Sequence, residues 1–300
     1  MRLLITGSNG QLGQELQRII KMRVSELGYI PNRLVSAEVE AVDIDTLDIS
    51  DRKETELFVN ELRPDVIVNC AAYTNVDGCE SNAETAMRAN AIGPRNLALS
   101  AQHVGAKLVH ISTDYVFSGE DAVDKNEWHI CNPQSVYGYS KYLGEQYVRD
   151  FCERYFIVRT AWLYGYIGKN FVKTILRVGR ERGFLTVVND QHGNPTNATD
   201  LAYHILKLTE TEEYGVYHCT NKGTCTWYDF ACEFVRLAGF SCEIKPCTSD
   251  EYPSPTKRPK HSSLDNLMLR CTIGDGMRDW EDAIAAYMKY YNKETGEIQI

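Results

Sequence analysis

The sequence predicts an α/β fold: a doubly wound parallel sheet with a smaller unit at its carboxyl-terminal end. Three observations carry this. Short apolar runs without polar alternation recur through the first half, separated by longer segments of helical periodicity, the pattern of strands buried on both faces. A glycine-rich turn follows the first of these runs directly. The regular alternation then weakens beyond residue 160. We therefore divide the chain into a first unit over 1–160 and a second over 161–300, with some segments of the second expected to return to the first.

Taken in order, the expected strands are Leu3–Thr6, Val39–Asp43, Asp65–Cys70, Lys107–Ser112 and Phe156–Arg159. Helical spacing of apolar residues marks Gln11–Leu27, Ala83–Val104 and Tyr137–Phe151 between them. The second half carries expected helices at Asn170–Arg182, Asp200–Thr209, Trp227–Ala238 and Trp280–Tyr291, and a strand at Leu185–Val188. The Pro-rich stretch Tyr252–Pro259 cannot be regular helix or central strand, so it reads as a loop, where binding residues collect. No internal repeat or low-complexity tract is visible.

Composition narrows the function. Of 300 residues, 43% are hydrophobic and 24% charged, which excludes disorder, collagen and coiled coil. No apolar run approaches the roughly 18 residues of a membrane span, and the amino-terminal apolar run is too short for a signal peptide. The expected compartment is cytoplasmic. Acidic residues outnumber basic ones 41 to 32, for a net charge of −9, so no nucleic-acid partner is expected. The ten cysteines never form a C-x-x-C. Zinc sites favour such tight pairs, so these thiols read as reduced and buried, and no metal is expected.

The glycine turn is Gly7-Ser8-Asn9-Gly10-Gln11-Leu12-Gly13. Its first glycine allows a sharp turn, the second lets backbone approach a pyrophosphate, and the third packs helix against sheet. The helix amino terminus then offers free N–H groups and a positive dipole end to phosphate. Three glycines alone are weak evidence; their place between an opening strand and a helix makes this a Rossmann-type dinucleotide site. Gly7, Asn9, Gly10, Gln11, Leu12 and Gly13 are its candidate ligands. Asp43, ending the second strand, is placed to accept from an adenosine ribose and to repel a 2′-phosphate. That favours NADH over NADPH, although either nicotinamide cofactor fits the motif. The plain alternative for Asp43 is a solvated strand end. Asp48 and Ile49 follow where an adenine would be framed.

The fourth strand ends in Ser112-Thr113-Asp114, and Tyr137 and Lys141 come later, four apart on one face of a helix. An ammonium beside a phenol lowers its pKa, one route to a proton donor for carbonyl reduction. A second Y-x-x-x-K, Tyr203 with Lys207, falls off the apolar stripe of its helix and follows no hydroxyl-ended strand. It is read as an accident of composition.

At this point the chain resembles the extended short-chain dehydrogenase/reductases, and the dTDP-4-dehydrorhamnose reductases among them. The resemblance rests on Ser112-Thr113-Asp114-Tyr115-Val116-Phe117, Arg63-Pro64-Asp65, Asn90-Ala91, Arg159-Thr160-Ala161-Trp162-Leu163-Tyr164, Asn189–Thr196, Arg258-Pro259 and Ser263-Leu264-Asp265. It spans nearly the whole chain in order. It implies that hydride passes from a reduced nicotinamide to the C4 ketone of a dTDP-6-deoxy-4-ketohexose, giving dTDP-L-rhamnose. Tyr137 would protonate the alkoxide, Lys141 would hold the nicotinamide ribose, and Thr113 would hydrogen-bond the sugar. By the same resemblance Asp114, Trp162 and Arg258 contact substrate, with Arg258 on the nucleotide phosphate, and Ala71, Ala72, Tyr73 and Asn90 belong to the cofactor groove. For Trp162 the plain alternative is core packing, and for Arg258 a solvated loop charge.

Three departures stand out. Cys70 occupies a position where small residues are usual, and it is expected to be buried and inert. Ala161 stands where family members often carry serine. Glu15 matches one glutamate of a magnesium site found in some relatives, but its companions cannot be placed, so magnesium is not predicted. A dTDP-sugar is the expected partner, with a homodimer as the expected assembly if the chain self-associates. Two rival functions are a sugar-nucleotide epimerase or 4,6-dehydratase, and a non-catalytic nucleotide-binding regulatory subunit. The dehydratase chemistry wants a second acid after Thr113-Asp114, where this chain has Tyr115.

Overall fold

Six parallel strands form the central sheet of the computed structural model, which describes residues 1–299. Across the sheet they run Gly215–His218, Tyr155–Thr160, Lys107–Thr113, Val66–Asn69, Arg2–Thr6 and Glu38–Val42. Successive side chains point to opposite faces, and both faces are covered. Leu3, Ile5, Val66, Val68, Val109, Phe156 and Val158 enter one core, while Leu4, Ile67, Leu108 and Ile157 enter the other. This is why the strands read as unbroken apolar runs. Chain order reverses about Arg2–Thr6, whose neighbours lead the chain to either side. A crevice opens outside the carboxyl ends at such a point.

Helix Gln11–Met22 packs into the first core through Leu12, Leu16, Ile19 and Ile20. It stops short of the expected Leu27 because Arg23 turns left-handed, with φ of 62°. The chain then makes a small hairpin, Val24–Ser25 against Gly28–Tyr29, which helical periodicity did not reveal. The helix expected over Ala83–Val104 is interrupted by a π-helical turn at Arg88–Ile92. Pro94 has no N–H to return to the carbonyl of Asn90, so the regular ladder cannot pass through. Helix Arg52–Leu62, capped by Asp51 accepting from Glu54 N–H at 3.0 Å, was not anticipated. Only Thr55 and Val59 of it are buried, which leaves a faint apolar stripe.

In the second half, Gly215–His218 joins the main sheet beside Tyr155–Thr160, and helix Ala198–Thr209 contributes Leu201, Ile205, Leu206 and Leu208 to the first core. The rest builds a separate core. Helices Phe171–Arg182, Trp227–Ala238 and Trp280–Met288 gather around a parallel pair, Phe184–Val188 with Glu243–Cys247. The last helix ends before the expected Tyr291. Tyr252–Pro259 is irregular, as a proline-rich segment must be.

Candidate active site

A cavity of about 1370 Å³ lies along the carboxyl edge of the sheet. It runs from Asp43, Asp48 and Ile49, past Gly7–Gly13 and Ala71–Tyr73, to Thr113, Asp114, Tyr137, Lys141 and Trp162. Residues from nine separate stretches of sequence are thereby brought to one surface.

The turn at its centre depends on two of its three glycines for space. Gly7 has φ of 66°, and a Cβ there would fall 2.5 Å from the backbone nitrogen of Ala71. A Cβ on Gly13 would lie 2.4 Å from the carbonyl oxygen of Gly7. Gly10 is less constrained, its nearest approach being 3.3 Å. No side chain caps helix Gln11–Met22, so its first-turn N–H groups remain for an anion in the cavity. Asn69 braces the floor: its Oδ1 accepts from Thr6 Oγ1 at 2.8 Å and from Ala71 N–H at 3.1 Å, and its Nδ2 donates to His110 Nδ1 at 3.1 Å. Burial keeps His110 neutral, which suits that accepting role. Asp43 Oδ2 accepts from Asn9 N–H at 2.9 Å, so the carboxylate also fixes the turn.

Asn90 does not reach the cavity. It is fully buried, accepting from Tyr73 N–H at 2.8 Å and donating to the Tyr73 carbonyl and to Ser140 Oγ. These bonds make it a brace for Tyr73, which itself lines the cavity. Motif position alone does not distinguish a wall residue from the one behind it.

At the reacting end, Thr113 Oγ1 donates to Asp114 Oδ1 at 2.8 Å. Ser135 caps helix Val136–Phe151, and the helix lies very close to the strand end: a Cβ on Gly138 would come within 2.2 Å of the Tyr115 carbonyl oxygen. This approach delivers Tyr137 and Lys141 to the cavity. Lys141 Nζ donates to the Ile111 carbonyl at 2.6 Å, and burial draws its pKa down to about 8, opposed by Glu145 one turn on. The expected depression of the Tyr137 phenol by Lys141 is not what this geometry gives. Burial raises the phenol's pKa, Thr113 opposes the rise, and the ammonium is turned toward a carbonyl. Tyr137 is thus a fully protonated acid at neutral pH. Asp114 is buried and its pKa is lifted by that burial to about 6.

Three buried oxygens on the cavity wall, Ser112 Oγ, Asp114 Oδ2 and Thr160 Oγ1, lack a partner among the described residues. Buried polar atoms are rarely left so, and all three belong to residues that line the cavity. Trp162 lines the same end with its indole stacked on Trp227. Cys70 is half-buried on the wall, its thiol pushed up to about 12 by burial. Ala161 is buried there too, with no hydroxyl to offer.

Arg258 lines a smaller adjoining cavity of about 270 Å³, together with Lys257, Lys260 and Ser135. Tyr115 lines both spaces. Arg258 donates to Tyr115 Oη at 3.1 Å and pairs with Asp77 at 3.1 Å, while Tyr115 meets the Tyr137 ring edge-on at 5.5 Å. Sequence reasoning quoted Tyr115 but gave it no role, and it passed over Asp77, Lys169 and Trp227; of these only Tyr115 stood inside a motif. Tyr203 and Lys207 lie on helix Ala198–Thr209, away from the cavity. Glu15 is buried and engaged by Arg18 at 2.6 Å and Thr199 Oγ1 at 2.5 Å. No group of three or more potential metal ligands is present among the described residues, and no helix is long and apolar enough to cross a membrane.

Residues 1–293 match the model of the RmlD substrate binding domain family. A dTDP-4-dehydrorhamnose reductase of Streptomyces griseus is 39% identical over 290 residues, 94% of this chain and 91% of that protein. Among solved structures, a dTDP-4-dehydrorhamnose reductase from Clostridium acetobutylicum superposes with a TM-score of 0.91 at 47% identity, covering 96% of this chain and 99% of that one. One from Bacillus anthracis, in complex with NADP, gives 0.90 at 42% identity, covering 96% and 98%.

Proposed function

We propose, from the premise that the chain belongs to the dTDP-4-dehydrorhamnose reductase family, that it reduces the C4 ketone of dTDP-4-dehydrorhamnose to give dTDP-L-rhamnose. The reductant is a nicotinamide dinucleotide. The observation that carries this reading is the meeting of Thr113, Tyr137 and Lys141 with the glycine turn in one cavity. A regulatory role would not need Thr113, Tyr137 and Lys141 there, and dehydration would need an acid where Tyr115 stands.

The cofactor supplies hydride. The first-turn N–H groups of Gln11–Met22 and the close-packed Gly7–Gly13 backbone hold its pyrophosphate, and Asp43 with Asp48 and Ile49 forms its adenosine end. Asp43 favours NADH. Lys141 would hold the nicotinamide ribose. On the substrate, Thr113 Oγ1 and the Asp114 carboxylate take hydrogen bonds at the sugar, and Tyr137 Oη donates its proton to the C4 oxygen as charge develops there. A high phenol pKa keeps that proton in place until an alkoxide, a far stronger base, demands it. Trp162 bounds the sugar, and Arg258 binds the nucleotide phosphates with a charge-assisted fork.

On this reading residues 1–160 bind cofactor, and most of 161–300 binds the sugar nucleotide in the cytoplasm; a homodimer is the assembly expected if the chain self-associates. Optical measurement of NADH and NADPH oxidation with the ketosugar nucleotide tests the proposal. Cofactor oxidation yielding dTDP-L-rhamnose supports it, and the absence of turnover with either cofactor overturns it.

A further inference from the structure

Trp162 is held in an unusual state by residues that a sequence reading does not connect. Its backbone is left-handed, with φ of 47°, one of only three such non-glycine residues among those described. Bulky residues avoid this region, and where they persist the surroundings must enforce it. Two surroundings do so. Trp227 lies parallel to the Trp162 indole, 3.6 Å between ring centroids and 9° between planes. On Gly193, a Cβ would fall 2.6, 2.7 and 2.8 Å from Cε2, Cζ2 and Nε1 of Trp162. Near-equal distances to three bonded ring atoms put Gly193 over a ring face. Trp227 already fills the stacking distance on one side, so Gly193 closes the other.

Each jaw of this clamp is itself fixed. Trp227 opens helix Trp227–Ala238 just after its capping box, Thr226 with Asp229, and packs on Phe171 at 4.5 Å. Gly193 pairs with Cys225 in a short antiparallel ladder, so both jaws belong to one unit. Thr196 N–H donates to the Trp162 carbonyl at 3.2 Å, which pins the backbone between them. Both tryptophans line the cavity. With its two faces covered, Trp162 meets the cavity with its rim, and a sugar packs along that rim rather than on an open face.

We propose that Trp227 and Gly193 are positioning residues for the reduction: they grip the Trp162 indole and thereby fix where the sugar ring stops. This rests on the function proposed above. Neither residue needs to touch substrate for this; each acts through Trp162. Trp227→Leu frees the indole and Gly193→Ala, whose methyl would fall 2.6 Å from the ring, displaces it; either change loosens the ketosugar and leaves the dinucleotide site at Gly7–Gly13 unchanged.

The test is a set of variants: Trp227→Leu, Trp227→Phe, Gly193→Ala, Trp162→Ala and the two double variants with Trp162→Ala. We expect Trp227→Leu and Gly193→Ala each to raise the ketosugar KM about 10-fold or more, with cofactor Kd within twofold of the parent. Trp227→Phe, which keeps a stacking ring, should recover most of the loss. In the Trp162→Ala background the jaw substitutions should add nothing further, since coupled residues are non-additive. Losses that multiply in the double variants, or no KM change in either single variant, overturn the proposal. A cofactor Kd that worsens as much as KM also overturns it. An independent readout is the indole N–H resonance of Trp162, assigned by its loss in Trp162→Ala. It should shift in both jaw variants, and an unmoved resonance refutes the clamp whether or not the ketosugar is turned over. If the parent enzyme reduces no ketosugar while this resonance moves as expected, the function proposed above fails and the clamp stands.

Discussion

Asp43 accepts a hydrogen bond from the backbone N–H of Asn9 at 2.9 Å while its other oxygen accepts from Ile44 N–H. One carboxylate therefore fixes the glycine turn and also lines the cavity beside Asp48 and Ile49. On the function proposed above, one side chain would then influence both the shape of the dinucleotide site and the choice of dinucleotide.

For that reason we expect NADH to bind at least as well as NADPH, because the carboxylate repels a 2′-phosphate and accepts from a free 2′-hydroxyl. Fluorescence titration with both nucleotides measures this. Asp43→Ala should weaken NADH more than NADPH. A tenfold preference for NADPH that persists unchanged in Asp43→Ala would show that the side chain does not read the ribose.

Tyr137→Phe should keep the fold and cofactor affinity but lower kcat by at least ~100-fold, the scale of a lost general acid. The phenol lines the cavity beside Thr113 and Asp114, whereas Tyr203 stands on a helix outside it. Tyr203→Phe is the control and should leave turnover intact. Near-normal kcat in purified Tyr137→Phe defeats the assignment.

These two sites differ in how they were legible. The glycine turn and the Tyr137–Lys141 pair are local, with spacing set by one turn or one helix, so sequence displays them. Trp162, Trp227 and Gly193 meet only because a strand exit, a helix start and a short ladder far apart in sequence converge, and no periodicity announces that. Asn90 shows the opposite case, since a motif marks it and the fold sets it against the backbone of Tyr73. Strand Gly215–His218 escaped notice because four residues carry little apolar pattern, although it completes the parallel sheet. The electrostatics of Tyr137 are hidden for a related reason: residue spacing gives proximity along a helix, but burial and the direction of Lys141 Nζ act on the phenol as well.

The buried carboxyl of Asp114, at about 6, gives a pH dependence of both activity and stability. If its carboxylate takes a hydrogen bond from the sugar, kcat/KM should fall below about pH 6, and Asp114→Asn should remove that acid limb along with part of the rate. Because burial raises the folded-state value above that of the unfolded chain, the penalty is absent at low pH. It grows as pH rises from about 4 to about 6 and persists above. Asp114→Asn should therefore be more stable than the parent at pH 7 by roughly 1–3 kcal/mol, and the difference should shrink toward pH 4. Denaturant melts at both values check it; a constant difference would mean that Asp114 is ionised throughout.

The last expectation concerns the junction of the two cavities. Arg258 reaches Tyr115, which in turn meets Tyr137 edge-on, so the guanidinium is tied to the reacting end through one ring. Its other partner, Asp77, is exposed enough to be exchanged for a stronger anion. A nucleotide diphosphate offers that anion, and Lys257 and Lys260 line the same small cavity. Arg258→Ala removes a charge-assisted pair worth about 1.5–3 kcal/mol, so substrate KM should rise roughly 10- to 150-fold. Losing the hold on Tyr115 should also lower kcat, by less than Tyr137→Phe does, because the proton donor itself remains. Cofactor affinity should barely move, since Gly7–Gly13 lies in the other cavity. Steady-state kinetics with varied ketosugar, alongside cofactor titration, separates these effects. The reverse pattern, a worse cofactor Kd with an unchanged substrate KM, would assign Arg258 to the dinucleotide and undo the division of labour between the two halves of the chain.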